Sequence, residues 1–389
     1  MAGNRSPDSD PEEGEANPEA SLQNLCSSVV FFCTESPDYP KPDLRPRGRL
    51  APGSPGSPNP LVFRLDTTTP FCSDPSMSAA RLNLHPHKHP KCGGKNCPER
   101  DNVDADGLCT HTMSATDGLP VRCVGGWAYD KIYRLVQYFG IFAGGMSNRW
   151  KGLNYVEICS GPGRCLMREE RTEIDGTALA IIHHGQFAKL QKAIFIDASP
   201  RVVDILNQRI KALGASHKAE AVRGDYGDAP GTCRILNRLP DSCLNLVFID
   251  PTECDVPFQT IQRIVAHLQN ADLLINVALG TDVTRNIVPA ILSPTHKTAR
   301  AKYERFLGTP GFCAQPEVVE LAKRADHDDL RRKFADTYHQ KLKGEGYQYT
   351  DVRPVKHYYY LLFASRSPKG IEFWQKACTY SPDNQKEMF

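Results

Sequence analysis

The chain has 389 residues, 40% of them hydrophobic, with 30 prolines and a formal net charge of +2. That length holds one large domain with appendages, or two modest domains. The near-neutral balance excludes a globally basic nucleic-acid binder, since such a partner needs a local patch here.

Fourteen cysteines are spread along the chain. The N-terminus lacks the basic, apolar, small-residue order of a secretory signal, and no apolar run approaches about 18 residues. The expectation is a cytoplasmic protein with reduced thiols, no membrane span and no disulfide framework.

Residues 1–70 read as a disordered, acidic, Pro/Ser/Gly-rich segment, unable to bury enough apolar surface to offset its ordering entropy. Val29, Val30, Phe31 and Phe32 interrupt it, either as a docking piece or as a chance cluster. Residues 71–124 form a Cys/His-rich segment with His85, His87, His89, Cys92, Cys97, Cys109, His111 and Cys123. Thiolate and imidazole are zinc's preferred ligands, and a loop-rich segment gains order from a metal. Cys92, Cys97, Cys109, His111 and Cys123 are the candidate ligands. Four residues rather than two separate Cys92 from Cys97, and no second clean pair follows. Incidental loop thiols are the alternative.

Regular patterning begins at Trp127. Ile132, Leu135, Val136 and Phe139 follow helical spacing. A loop with Gly144 and Gly145 should follow, then a short buried strand from Leu153 to Cys159. Strands are expected over Ala193–Asp197, Ala219–Gly224, Leu244–Asp250 and Asp272–Val277, with helices around Val203, Leu206 and Ile210 and over Thr260–Leu268. Continuous apolar strands alternating with helices predict an α/β fold, a parallel sheet with helices on both faces. Residues 286–343 predict a polar helical insertion, with eleven Lys/Arg against seven Asp/Glu between 295 and 343. That insertion is either a solvated face or a cap with affinity for phosphate or nucleic acid. Tyr347–Val355 and His357–Ala364 predict a terminal β-hairpin in which Tyr359 faces opposite to Tyr358 and Tyr360. Residues 381–389 are a tail.

Ligands of open parallel sheets bind beyond the carboxyl ends of the strands. Four features of this sequence fall there. Gly161 and Gly163 follow the first strand, where missing Cβ atoms permit close backbone approach and free N–H groups can receive a methionine carboxylate. Glu157, in the same motif, suits the ligand's amino group. Asp197 suits the ribose hydroxyls of an adenosine, and Asp225 an adenine amino group. Asp250 ends the fourth strand, where a reactive methyl would lie. Leu166 stands three residues after Gly163, so the GxGxxG of a dinucleotide site is broken. Helix capping by Asp197 and Asp225 is the plainer alternative. Together these features predict S-adenosylmethionine as cofactor.

With these residues assembled, the chain resembles the three-Cys-motif partner proteins, a bacterial family with a class I methyltransferase-like, Rossmann-like core. The resemblance rests on Val124-Gly125-Gly126-Trp127 with Lys131, Ser160-Gly161-Pro162-Gly163-Arg164, and Asp175-Gly176-Thr177-Ala178-Leu179-Ala180. It continues through Phe248-Ile249-Asp250-Pro251, Asn276 and Arg285 to Tyr360-Leu361-Leu362-Phe363-Ala364-Ser365. It implies a methyltransferase-like domain over 125–380, S-adenosylmethionine binding, and a partner protein that bears three cysteines and looks like a radical-SAM enzyme. It supplies no methyl acceptor. Thr177-Ala178 and Thr252-Glu253 depart from the family pattern. Only Asp250-Pro251 remains of the Asp/Asn-Pro-Pro-aromatic motif of amino-methylating enzymes, so base N-methylation is not supported.

Asp250 is expected to orient or deprotonate the acceptor, and Arg285 to anchor an acidic substrate or pair with a carboxylate. A non-catalytic partner subunit and a nucleic-acid-modifying enzyme are the alternatives to a methyltransferase. Cys159 and Cys165 flank the glycine loop, as activated thiols or as small buried hydrophobes. His183 and His184 read as structural.

Overall fold

The computed structural model describes residues 88–94, 97, 103–356 and 358–381. The expectations for residues 1–70, His85, His87 and the end of the tail lie outside them. In chain order the elements are β1 (Arg122–Val124), α1 (Trp127–Met146), β2 (Leu153–Ile158), β3 (Arg164–Met167), β4 (Thr172–Asp175) and α2 (Thr177–His183). There follow β5 (Leu190–Asp197), α3 (Pro200–Ala212), β6 (Ala219–Arg223), α4 (Ala229–Leu236), β7 (Leu244–Ile249), α5 (Phe258–His267) and β8 (Ala271–Val277). The chain continues through α6 (Thr284–Leu292), α7 (Lys297–Leu307), α8 (Pro316–Lys323) and α9 (His327–Gly344) to β9 (Tyr349–Val355), β10 (Tyr359–Ser365) and α10 (Pro368–Ala377).

The main sheet has the order β6-β5-β2-β7-β8-β10-β9. The first five strands run parallel, and β10 pairs antiparallel with both β8 and β9. Helices flank it in a Rossmann-like α/β fold. All residues of β2, β7 and β8 are buried, as strands covered on both faces require. Strand order reverses where β2 lies between β5 and β7, and that switch point leaves a crevice beyond their carboxyl ends.

One local reading is corrected, and two features add to the expected pattern. Gly144 and Gly145 do not end the first helix, because α1 continues to Met146. A Cβ at Gly145 would stand 2.7 Å from Phe373 Cζ, so this glycine admits α10 to the face of α1. The stretch between the glycine loop and α2 forms the β3–β4 hairpin, which joins β1 in a second, three-stranded sheet. Finally, helices α6–α9 bury an aromatic cluster in which Phe306 stacks on Phe334 at 5.7 Å and on Tyr338 at 4.7 Å. Several of their basic residues are engaged in ion pairs, including Lys302 with Glu253 and Asp282, Lys333 with Glu317, and Arg332 with Asp329. Among the described residues no helix is long and apolar enough to cross a membrane.

Candidate functional site

The turn after β2 is left-handed at three positions, with φ of 66° at Cys159, 64° at Gly161 and 89° at Gly163. Its glycines have different duties. A Cβ at Gly163 would lie 2.7 Å from Leu206 Cδ1, so that residue lets the turn pack on α3. A Cβ at Gly161 would instead point toward the Arg122 guanidinium, 3.6 Å from Cζ, and fill space beside the crevice. Asp197 secures the turn from the neighbouring strand. Its Oδ2 accepts from Gly161 N at 2.9 Å and its Oδ1 from Ser199 N at 3.1 Å. Ser160 N donates to the Ile196 carbonyl at 3.1 Å.

The crevice is a partly open cavity lined by Arg122, Trp127, Lys131, Gly161, Pro162, Cys165, Thr177, Asp250, Asn276 and Tyr359 among others. Asp250, just past β7, is held by two donors from other elements. Lys131 Nζ of α1 donates to its oxygens at 2.7 and 2.6 Å, and Asn276 Nδ2 of β8 to Oδ1 at 2.9 Å. The pair is largely buried, with side-chain exposures of 8% for Lys131 and 12% for Asp250. Trp127 lies one helical turn before Lys131, and the Lys131 ammonium stands 5.1 Å from the Trp127 ring. Trp127 in turn meets Tyr359 of β10 at 4.4 Å. Burial pushes the Tyr359 hydroxyl up to about 12, so it is a neutral hydrogen-bonding group.

The remaining expected residues are placed differently. Glu157 is wholly buried beneath the loop and does not line the cavity. Tyr155 donates to its Oε2 at 2.8 Å and Thr177 to its Oε1, and burial raises its carboxyl from 4.5 to about 8. Asp225 is exposed two residues past β6, where its Oδ1 accepts from Gly227 N at 2.7 Å and closes a tight turn. Neither Asp197 nor Asp225 lines the cavity. Arg285 is exposed at the start of α6, close enough to Tyr359 to influence its hydroxyl. Burial pushes the Cys159 thiol well up and that of Cys165 to about 11, which opposes activated thiolates. His183 bonds Asp175 at 2.6 Å and His184 packs edge-on against Phe139, both structural roles.

Cys92, Cys97, Cys109, His111 and Cys123 line one small pocket of the N-terminal loops. Zinc is not supported: among the described residues no group of three or more His, Cys, Asp or Glu stands so as to hold a metal ion. Cys92 sits against Val121 and Leu166 and accepts from Gly94 N at 3.4 Å, and burial raises Cys123 to about 11.

Lys131, Asn276, Trp127 and Tyr359 gained no site role from sequence reasoning, and Arg122 escaped notice altogether. The i, i+4 spacing of Trp127 and Lys131 puts both on one helix face, which was a readable signal. Arg122 carried none, because β1 is three residues long and its pairing is set by the hairpin.

No family model and no curated protein matches the chain. Solved structures similar to it include a DUF519 protein of Legionella pneumophila, at 12% identity over 66% of this chain and 92% of that one, with a TM-score of 0.39. A putative caffeoyl-CoA O-methyltransferase of Staphylococcus aureus shares 11% identity over 59% and 82% of the two chains, with a TM-score of 0.31. A putative S-adenosyl-L-methionine-dependent methyltransferase of Methanococcus maripaludis shares 13% over 61% and 90%, with a TM-score of 0.29.

Proposed function

We propose that the chain is an S-adenosylmethionine-dependent methyltransferase, with its cofactor across the Gly161–Gly163 turn and its acceptor at Asp250. One juxtaposition carries this reading. At the switch point, a left-handed glycine turn stapled by Asp197 faces the same cavity as a carboxylate neutralised by Lys131. The residues fit such a cofactor: Gly161 lines the cavity without a side chain, and Arg122 Nε is buried beside it without a partner.

Bound S-adenosylmethionine supplies an electrophilic methyl on a sulfonium. The chain's own residues supply position, on which in-line displacement depends most. The Lys131 and Asn276 hydrogen bonds occupy and fix the plane of the Asp250 carboxylate, so Asp250 acts chiefly by orienting the acceptor. Asn276 Oδ1 is buried without a partner on a residue that lines the cavity, a second oxygen able to accept. Two acceptor atoms call for a hydrogen-bearing nucleophile, a hydroxyl or an amine. Trp127 and Tyr359 form one apolar side of the cavity.

Calorimetry with S-adenosylmethionine and S-adenosylhomocysteine tests the reading, and binding of neither sinks it. Asp250→Asn should retain S-adenosylhomocysteine affinity within a few-fold while transfer falls by about a hundredfold or more. Loss of cofactor binding in that variant would move Asp250 to the cofactor side. Membership of the three-Cys-motif partner proteins is proposed on the ordered motif series alone. Co-elution with a co-expressed three-cysteine partner supports it, and separate elution removes that partner.

A further inference from the structure

The cavity is lined by two cations with unlike circumstances. Lys131 is matched by Asp250, whose two oxygens it contacts at 2.7 and 2.6 Å. Arg122 has no such match. Its hydrogen-bond partner is the Asp106 carbonyl, at 3.4 Å from Nη2, and its Nε is buried with none. Among the described residues no carboxylate stands within ion-pair distance of it. Asp106 is turned elsewhere, accepting from Ser199 Oγ at 2.7 Å and from Arg201 at 3.4 Å.

The guanidinium overhangs the glycine turn. A Cβ built on Gly161 would meet its Cζ and Nη1 at 3.6 Å and Nε at 3.8 Å. It is close enough to lower the thiol pKa of both Cys159 and Cys165, which brackets it over the turn from two sides. β1 holds the residue there by parallel pairing, Arg122 opposite Cys165. A planar fork held on a strand at the cavity wall, with an unsatisfied donor, is suited to a carboxylate.

We propose that Arg122 receives the α-carboxylate of an amino-acid-bearing nucleoside seated on the turn. The inference rests on the cofactor reading and assigns its carboxylate subsite to one side chain, in place of the turn's N–H groups alone. Specificity follows. The site should prefer a nucleoside with its amino-acid tail over the same nucleoside without one.

The test is calorimetry on the full chain with S-adenosylhomocysteine and with 5′-methylthioadenosine, which lacks the amino-acid tail. Wild type should bind S-adenosylhomocysteine more tightly. Arg122→Ala should weaken that affinity about ten- to a hundredfold, the usual range for a hydrogen bond to a charged group. Affinity for 5′-methylthioadenosine should stay unchanged, which also reports an intact fold. Arg122→Lys, which keeps charge without the fork, should recover part of the loss. Unchanged S-adenosylhomocysteine affinity in Arg122→Ala, or equal weakening of both ligands, overturns the inference alone. Binding of neither ligand by wild type overturns the cofactor reading and this subsite with it.

Discussion

Glu157 makes a measurable demand on stability. Burial raises its carboxyl from 4.5 to about 8, even though Thr177 and Tyr155 donate to it and favour the ionised form. Between those two values the folded chain holds a proton that the unfolded chain has released. Stability from this group is therefore complete below the unfolded value and is lost as pH rises through about 8. Each pH unit inside the window removes about 1.4 kcal/mol, so the whole interval is worth about 5 kcal/mol. Glu157→Gln keeps the shape and removes the titration. Urea unfolding of wild type and variant at pH 5 and pH 8 should show the difference shifting by about 4 kcal/mol in the variant's favour. Asp255 and Asp272 are also raised, by burial above all, and steepen both curves alike, so the comparison isolates Glu157. A difference that is the same at both pH values would refute the assignment.

Asp117 should act at the other end of the scale. Burial alone would raise it, but the Arg209 hydrogen bonds, at 2.9 and 3.0 Å, outweigh that and hold it at about 2. Its contribution is present above the ordinary value and lost as pH falls toward about 2, so Asp117→Asn should flatten the acid limb of a pH titration. A limb of unchanged steepness would contradict this. Gly163→Ala places a methyl 2.7 Å from Leu206 Cδ1 at a φ of 89° and should cost about 2–4 kcal/mol in urea unfolding. A loss under about 0.5 kcal/mol would show that the turn yields.

The sheet was legible because its strands are apolar on both faces. Leu244–Ile249 and Ala271–Val277 admit few other structures, and the acids ending the strands at Asp197 and Asp250 marked the crevice end. Gly161 and Asp197 were found that way, and the structure joins them by a hydrogen bond across 36 residues of sequence. What the sequence concealed was long-range and polar. Nothing in the helical pattern of α1 indicates that Lys131 ends against Asp250, 119 residues away. Glu157 was misjudged for a related reason: a motif position says which strand carries an acid, while the bonds from Tyr155 and Thr177 decide whether it meets a ligand. The β3–β4 hairpin escaped because strands of four residues give little period-two signal.

That hairpin has a consequence for the order in which the site is built. β1 leaves the ribosome before α1, β2 and the glycine turn, yet it pairs with β3, which follows all three. Arg122 therefore waits for its position until the hairpin has closed, after the turn it overhangs has been synthesised. The central strands can collapse around their apolar faces first. The carboxylate end of the crevice is a late addition, a clasp fastened from the N-terminal side once the sheet exists.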